Sequence, residues 1–323
     1  MKEETSEDFY FTDEEGWFVQ VEEQVYCVPM EAFARRSATF EKFLVVRLFH
    51  DALAGTCEEH SIRLDQLDPS GQDVVAGSSE YPCITKREFE SLLTYMVGKH
   101  WSDPSLYSLQ DLEDILRLGT LWCIPEARWF AVRELEHTNG FENAKRLSLA
   151  CKYNVSDWIK PSFISLAKHH ILASEDIAVL GTALSTLIIQ CQKERSQFRA
   201  SLVTANPPAQ CDTSHERCSD IWPQLWQVIA LKLLVFKQCI YWEDDLLSFV
   251  DAVYKEQQHR FPLCSDCYGG IKDDLHYNGG ILLQEASIID TMLCCVHEHF
   301  GFPEADGDKA DEEDEEGLIP KDW

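Results

Sequence analysis

The sequence predicts an α+β protein in which a small sheet near the start gives way to a predominantly α-helical region. Three observations predict it. The stretch WFVQV-EE-QVYCV at 17–28 holds two β-type runs separated by two residues, and SIRLDQL at 61–67 alternates Ile62 and Leu64 with polar neighbours. From residue 85 onward, apolar positions recur at helical spacing. Apolar content is 45%, with nine Trp and 17 Phe, which suffices for a packed core in a chain of 323 residues.

The elements follow in order. Residues 1–15 are an acidic arm, expected to lack fixed structure. The hairpin at 17–28 feeds MEAFARRSATFEKFL, which reads as a helix. DPSGQDVVAGSSEYPC (68–83) is rich in turn residues and reads as a loop. Thr85 and Glu88 have capping-box spacing, and Phe89, Leu92, Leu93, Met96 and Val97 line one face of the helix they open. Ser108 and Asp111 resemble a second cap, above a stripe of Leu109, Leu112, Ile115 and Leu116. Pro125 starts a third helix. Helices then run to about Arg199, and NPPAQ (206–210) breaks the pattern. Two more are expected near 222–240 and 244–258, the second capped by Asp244 or Asp245, and a last one over 281–300. EADGDKADEEDEEG (304–317) is a low-complexity acidic tail.

Charge narrows the function classes. The net charge is −28, of which residues 1–15 carry −6 and residues 303–323 carry −8, leaving −14 on the body. Such a body repels phosphate backbones, so direct nucleic-acid binding is not expected. The N-terminus MKEETSEDF lacks the apolar core of a secretory signal, and LWQVIALKLLVF (225–236) is too short to span a bilayer, so a cytoplasmic or nuclear protein without a membrane segment is expected. Thirteen scattered cysteines then read as reduced thiols, with one metal site, and not as a disulfide framework.

The opening hairpin and helix, with Arg35-Arg36-Ser37 and Phe40, resemble the start of a BTB/POZ domain. LEDILRLGTLWCIPEARWFAVREL (112–135) is similar to the helical half of fungal BTB domains, through Leu116, Leu118, Trp122, Ile124, Arg128, Ala131 and Leu135. Gly119 stands where those proteins often carry Ala. Residues 144–181 resemble their helical, BACK-like extension, through Leu149, Ala150, Tyr153, Val155, Trp158, Leu166, Ala167, Leu180 and Gly181. The resemblance implies a BTB/POZ-like domain over 16–137, a helical extension over 138–205, a helical Cys-bearing subdomain over 206–302 and the acidic tail over 303–323. It implies a non-catalytic scaffold or adaptor with protein partners. Such a protein self-associates through the BTB domain, or recruits a substrate to a cullin-3 ubiquitin ligase or a transcription or chromatin complex. The matched positions are core positions, which specify a fold better than an activity.

The chemistry-bearing candidates are cysteines. Cys264-Ser-Asp-Cys267 has the spacing at which two thiolates chelate one ion from a tight turn, and the glycines after it let the backbone fold back. Cys211 and Cys218 supply a second pair, with His215 between them as a substitute ligand. Soft thiolates in a four-ligand set suit a structural zinc, stapling the ends of the helical hairpin between 211 and 267. Reduced core thiols are the bland alternative. A redox pair is another, although that chemistry places the first Cys at a helix N-terminus after a strand, whereas here a helix precedes and Gly-Gly follows. A metal-dependent or redox enzyme on this cluster is the competing function class. His169-His170 and His297-x-His299 diverge on a helix and read as helix-end residues, and Cys294-Cys295 as helix packing. GxSxG, HExxH and P-loop patterns are absent. The tail reads as a solvated run or as a clamp for a basic partner such as a histone, and LIPKDW beyond it as a short peptide anchor or a disordered end.

Overall fold

The computed structural model describes residues 16–29, 33–37, 41–42, 59, 61–64, 84–97, 106–168, 172–205, 207, 216–235, 243–277 and 280–302. The acidic arm, the 68–83 loop, His169-His170, most of the helix expected after the hairpin and the acidic tail lie outside them. Among the described residues the chain is mostly helical, with one three-stranded sheet, an α+β composition. It divides into two compact units, Met1–Phe141 and Glu142–Trp323.

The first unit holds the sheet. Strands β1 (Gly16–Val21) and β2 (Gln24–Pro29) pair antiparallel, with Val21 opposite Gln24. Only Glu22 and Glu23 separate them, so the chain reverses through a left-handed residue, Glu22 at φ 55°. Strand β3 (Ile62–Arg63) joins the other side of β1 in parallel, giving the order β2-β1-β3. Val19 and Val21 alternate as buried residues on β1, whereas on β2 Tyr26, Cys27 and Val28 are all buried.

Helices α1 (Lys86–Val97), α2 (Leu109–Leu121) and α3 (Pro125–His137) complete this unit. Both expected capping boxes form. Glu88 N–H donates to Thr85 Oγ1 at 3.4 Å, and Thr85 N–H returns to Glu88 Oε2 at 2.8 Å. Ser108 and Asp111 make the same reciprocal pair at the start of α2. Arg117, toward the C-terminal end of α2, reaches Glu88 at the head of α1 and ties the two helices together. Phe33, Phe89 and Trp122 meet ring to ring at centroid distances of 6.1–6.5 Å. Trp122 is therefore a core residue, and its chain carbonyl accepts from the buried Ser37 hydroxyl.

The second unit is all helix in its described residues: α4 (Asn143–Tyr153), α5 (Ser156–Lys168), α6 (Ser174–Thr204), α7 (Glu216–Val235), α8 (Glu243–Gln257), α9 (Ser265–Tyr277) and α10 (Gly280–Phe300). Trp158 on α5 is fully enclosed. Helix α7 starts six residues before the expected 222, and Pro223 lies inside it. A proline there removes one intrahelical hydrogen bond, but Trp222, Leu225 and Trp226 beside it are all buried, and that burial outweighs the loss. Asp244 and Asp245 fall within α8, which begins at Glu243, and do not precede it as caps. His297 and His299 occupy the last turn of α10 as expected, but Cys294 is exposed and does not pack. No helix among the described residues is long and apolar enough to cross a membrane.

One buried polar cluster organises this unit. Arg195 and Arg199, one turn apart on α6, converge on Glu285 of α10. Arg195 donates to Glu285 Oε1 from Nε at 2.9 Å and from Nη2 at 2.7 Å. Arg199 donates to Oε2 from Nε at 3.1 Å and to Oε1 from Nη2 at 2.8 Å. The three side chains are 5%, 2% and 1% exposed. The remaining guanidinium nitrogens cap other helices: Arg195 Nη1 donates to the Ala167 carbonyl at the end of α5, and Arg199 Nη1 to the Leu233 carbonyl at the end of α7, at 3.3 Å. Gln192, one turn earlier on α6, donates to the Leu166 carbonyl at 3.0 Å.

Two outcomes follow from this packing. Glu285→Ala leaves two guanidiniums buried against each other, and should cost about 3–5 kcal/mol in urea unfolding of the full chain. Helix α6 is broken at Gly181, whose φ 73° and ψ 177° suit glycine alone. Gly181→Ala should therefore destabilise by about 1–3 kcal/mol, although the same change inside a continuous helix stabilises by about 1 kcal/mol. The sign of the shift in unfolding midpoint distinguishes the two geometries.

Candidate metal centre

The sulfurs of Cys218, Cys264 and Cys267 all lie within 4.8 Å of one another. Thiolates bound tetrahedrally at ~2.3 Å sit about 3.8 Å apart, so small side-chain rotations bring the three onto one ion. Three of the four expected cysteines thus come together. Cys211 and His215 lie outside the described residues.

Local structure explains the convergence. Cys218 lies in the first turns of α7, three residues into the helix, and faces inward with Trp222 and Leu225 one and two turns on. Helix α8 returns the chain, and a short connection through Phe261, Pro262 and Leu263 delivers Cys264. The Tyr254 hydroxyl, on α8, donates to the Leu263 carbonyl at 3.2 Å and fixes that connection. Burial raises the Tyr254 hydroxyl's pKa, so it remains a donor.

The expectation of a knuckle with a folded-back glycine turn is corrected here. Ser265 opens α9, which runs straight through Gly269 and Gly270. Cys267, Ile271 and Leu275 recur every four residues and are all buried, and that stripe holds the segment helical despite its glycines. Cys264 is the N-cap of α9: its carbonyl accepts from Tyr268 N–H at 3.0 Å, and its sulfur accepts from Cys267 N–H at 3.4 Å. The objection to a redox pair drawn from a missing helix N-terminus does not hold, although a helix and not a strand precedes it. Helix N-termini favour negative charge, which suits thiolates held at the first turn.

A polar brace locks α9 to α8 beside the sulfurs. Tyr268 donates to Asp251 at 2.5 Å, and Lys272 donates to the other carboxylate oxygen at 3.0 Å. The Tyr254 and Tyr268 rings stack at 3.8 Å. Burial and the Asp251 hydrogen bond push the Tyr268 hydroxyl well above its ordinary pKa. Burial alone would raise the Asp251 carboxyl, but the Tyr268 hydroxyl and Lys272 ammonium outweigh it and hold the carboxyl below its ordinary value.

Sequence reasoning found the cysteines but missed this brace and the Arg195–Arg199–Glu285 cluster. A signal for the second existed. Leu184, Ile188, Cys191, Arg195, Arg199 and Leu202 form one helical stripe, and two arginines on an apolar stripe call for a buried acid.

No protein-family model matches this chain, and no curated protein or solved structure is significantly similar to it.

The brace has a pH signature. The folded chain releases the Asp251 proton more readily than the unfolded chain. Its contribution to stability is therefore complete above the ordinary carboxyl value of 3.8 and is lost as the pH falls through the lower folded value. Tyr268→Phe removes the main hydrogen bond. It should flatten that acid limb in unfolding curves measured between pH 2 and pH 6, and raise the Asp251 carboxyl in a carbon-detected NMR titration.

Proposed function

We propose that this chain is a non-catalytic protein-interaction module. In this reading an N-terminal BTB/POZ-like unit supplies the contact surface, and the helical unit behind it is stapled by a structural zinc. The observation that carries it is the convergence of Cys218, Cys264 and Cys267 at a helical core, in which Cys218 and Cys267 are buried and Cys264 packs against them from the edge. Sulfur donors select zinc over hard cations, and a fourth protein ligand, for which Cys211 and His215 are the sequence candidates, would close a tetrahedral structural set. Three buried charges of the helical unit, on Arg195, Arg199 and Glu285, are likewise committed to holding helices.

The interaction role rests on the resemblance of 16–49 and 112–181 to fungal BTB proteins, and the hairpin-first sheet with three helices behind it is compatible with that. Self-association and recruitment to a cullin-3 ligase or a chromatin complex are the roles such a unit takes. The competing reading is an oxidoreductase on Cys264-x-x-Cys267, which the N-cap place of Cys264 favours.

Metal analysis and thiol titration of the purified full chain separate the two. The interaction reading expects about one zinc per chain, thiols protected until a chelator is added, and a dimer or a cullin-3 complex in sedimentation. A zinc-free chain that turns over a dithiol substrate and binds neither itself nor cullin-3 contradicts it. Cys267→Ser should release the zinc and open α9 and the start of α7 to protease while α1–α3 remain protected, because metal-binding energy in such a site appears as folding energy.

A further inference from the structure

Within the cluster the three sulfurs are not equivalent. Cys218 and Cys267 are buried, whereas Cys264 is partly exposed at the mouth of the connection between α8 and α9. An oxidant approaching from solvent meets Cys264 first. Its neighbour Cys267 lies on the same helical turn, with its N–H already on the Cys264 sulfur at 3.4 Å. All three sulfurs fall within 4.8 Å, a gap that side-chain torsions can close to the ~2.05 Å of a disulfide. Exposure alone would send an oxidant elsewhere, since among the described residues Cys123 and Cys294 are more exposed thiols.

We propose that Cys264 is a modification site at which a hydroperoxide opens the metal centre, through a disulfide with Cys267. The inference rests on the zinc reading above for the release of metal, but not for the disulfide. The Cys264 thiolate attacks the distal peroxide oxygen and the O–O bond breaks, giving a sulfenic acid and an alkoxide that takes a proton from water. The Cys267 thiolate then attacks the sulfenic sulfur and expels hydroxide. The two sulfurs together lose two electrons and the peroxide gains them. Cys218 cannot retain the ion without the two lost thiolates, so the metal leaves.

The experiment is a hydrogen peroxide titration of the full-length chain, as purified and after treatment with a chelator. Zinc is followed with a chromogenic chelator and disulfides by mass spectrometry. The expected result is one zinc released per Cys264–Cys267 disulfide, reversed by dithiothreitol and added zinc. The same disulfide should form in the chelated protein. Cys264→Ser keeps a hydroxyl at the N-cap, which suits that position. It should stay folded by circular dichroism and show at least a tenfold slower peroxide-driven oxidation of Cys267. A purified chain without zinc that still forms the disulfide disproves the zinc reading and upholds the oxidation site. Sulfinic acid on Cys264, a disulfide from Cys264 to any other cysteine, or zinc retained while Cys123 and Cys294 oxidise overturns the proposal and leaves the zinc reading intact.

Discussion

Two arginines share one glutamate in the interior of the second unit, and the helices around them are arranged to make that arrangement tolerable. A buried carboxylate can neutralise one guanidinium. The surplus positive charge faces the C-terminal carbonyls of α5 and α7, through Ala167 and Leu233. Each helix C-terminus carries about half a negative charge, so two of them balance the surplus. The geometry therefore fixes where α5 and α7 must end relative to α6, and where α10 must present Glu285. Such a cluster stabilises little compared with an apolar core, but it penalises any packing that separates its members. It selects one arrangement of four helices.

Helix α7 is held by different chemistry at its two ends. Near its C-terminus the Leu233 carbonyl receives Arg199. Near its N-terminus Cys218 meets Cys264 and Cys267. Between them Trp222 and Trp226 sit with ring centroids 5.9 Å apart, in a core that also takes Leu202 from α6, Leu246, Val250 and Val253 from α8, and Ile271 from α9. The hydrophobic layer drives association of these helices without direction. The ion cluster and the thiols supply direction at opposite ends, and the Asp251–Tyr268–Lys272 brace sets the angle of α9 that keeps its first turn on Cys218. Loss of the metal on this account loosens α9 and the start of α7, and leaves the α6–α10 pairing in place.

What the sequence disclosed depended on how local the signal was. Both capping boxes, the two-residue hairpin and the N1 proline of α3 are written in neighbouring residues, and each forms where its residues stand. The CxxC spacing was equally legible, and its partner Cys218 followed from the chemistry of a four-thiolate set. The helicity of 265–277 was hidden by Gly269 and Gly270, which have poor helix propensity. Tertiary burial of Cys267, Ile271 and Leu275 overrides that preference. Burial of Trp222, Leu225 and Trp226 likewise carries α7 through Pro223 to a start before the expected 222. The Arg–Glu–Arg cluster joins residues 86 and 90 positions apart, so no local pattern names its acid, although the arginines themselves stand out on their apolar stripe.

Zinc K-edge X-ray absorption of the full-length chain as purified tests the central claim most directly, that the three converging cysteines hold a resident ion as a structural staple. The account predicts a near-stoichiometric edge and a first shell of three or four sulfurs at ~2.3 Å, any remaining ligand being nitrogen. A shell of oxygen alone, or an edge far below stoichiometry in protein whose cysteines are reduced, contradicts it.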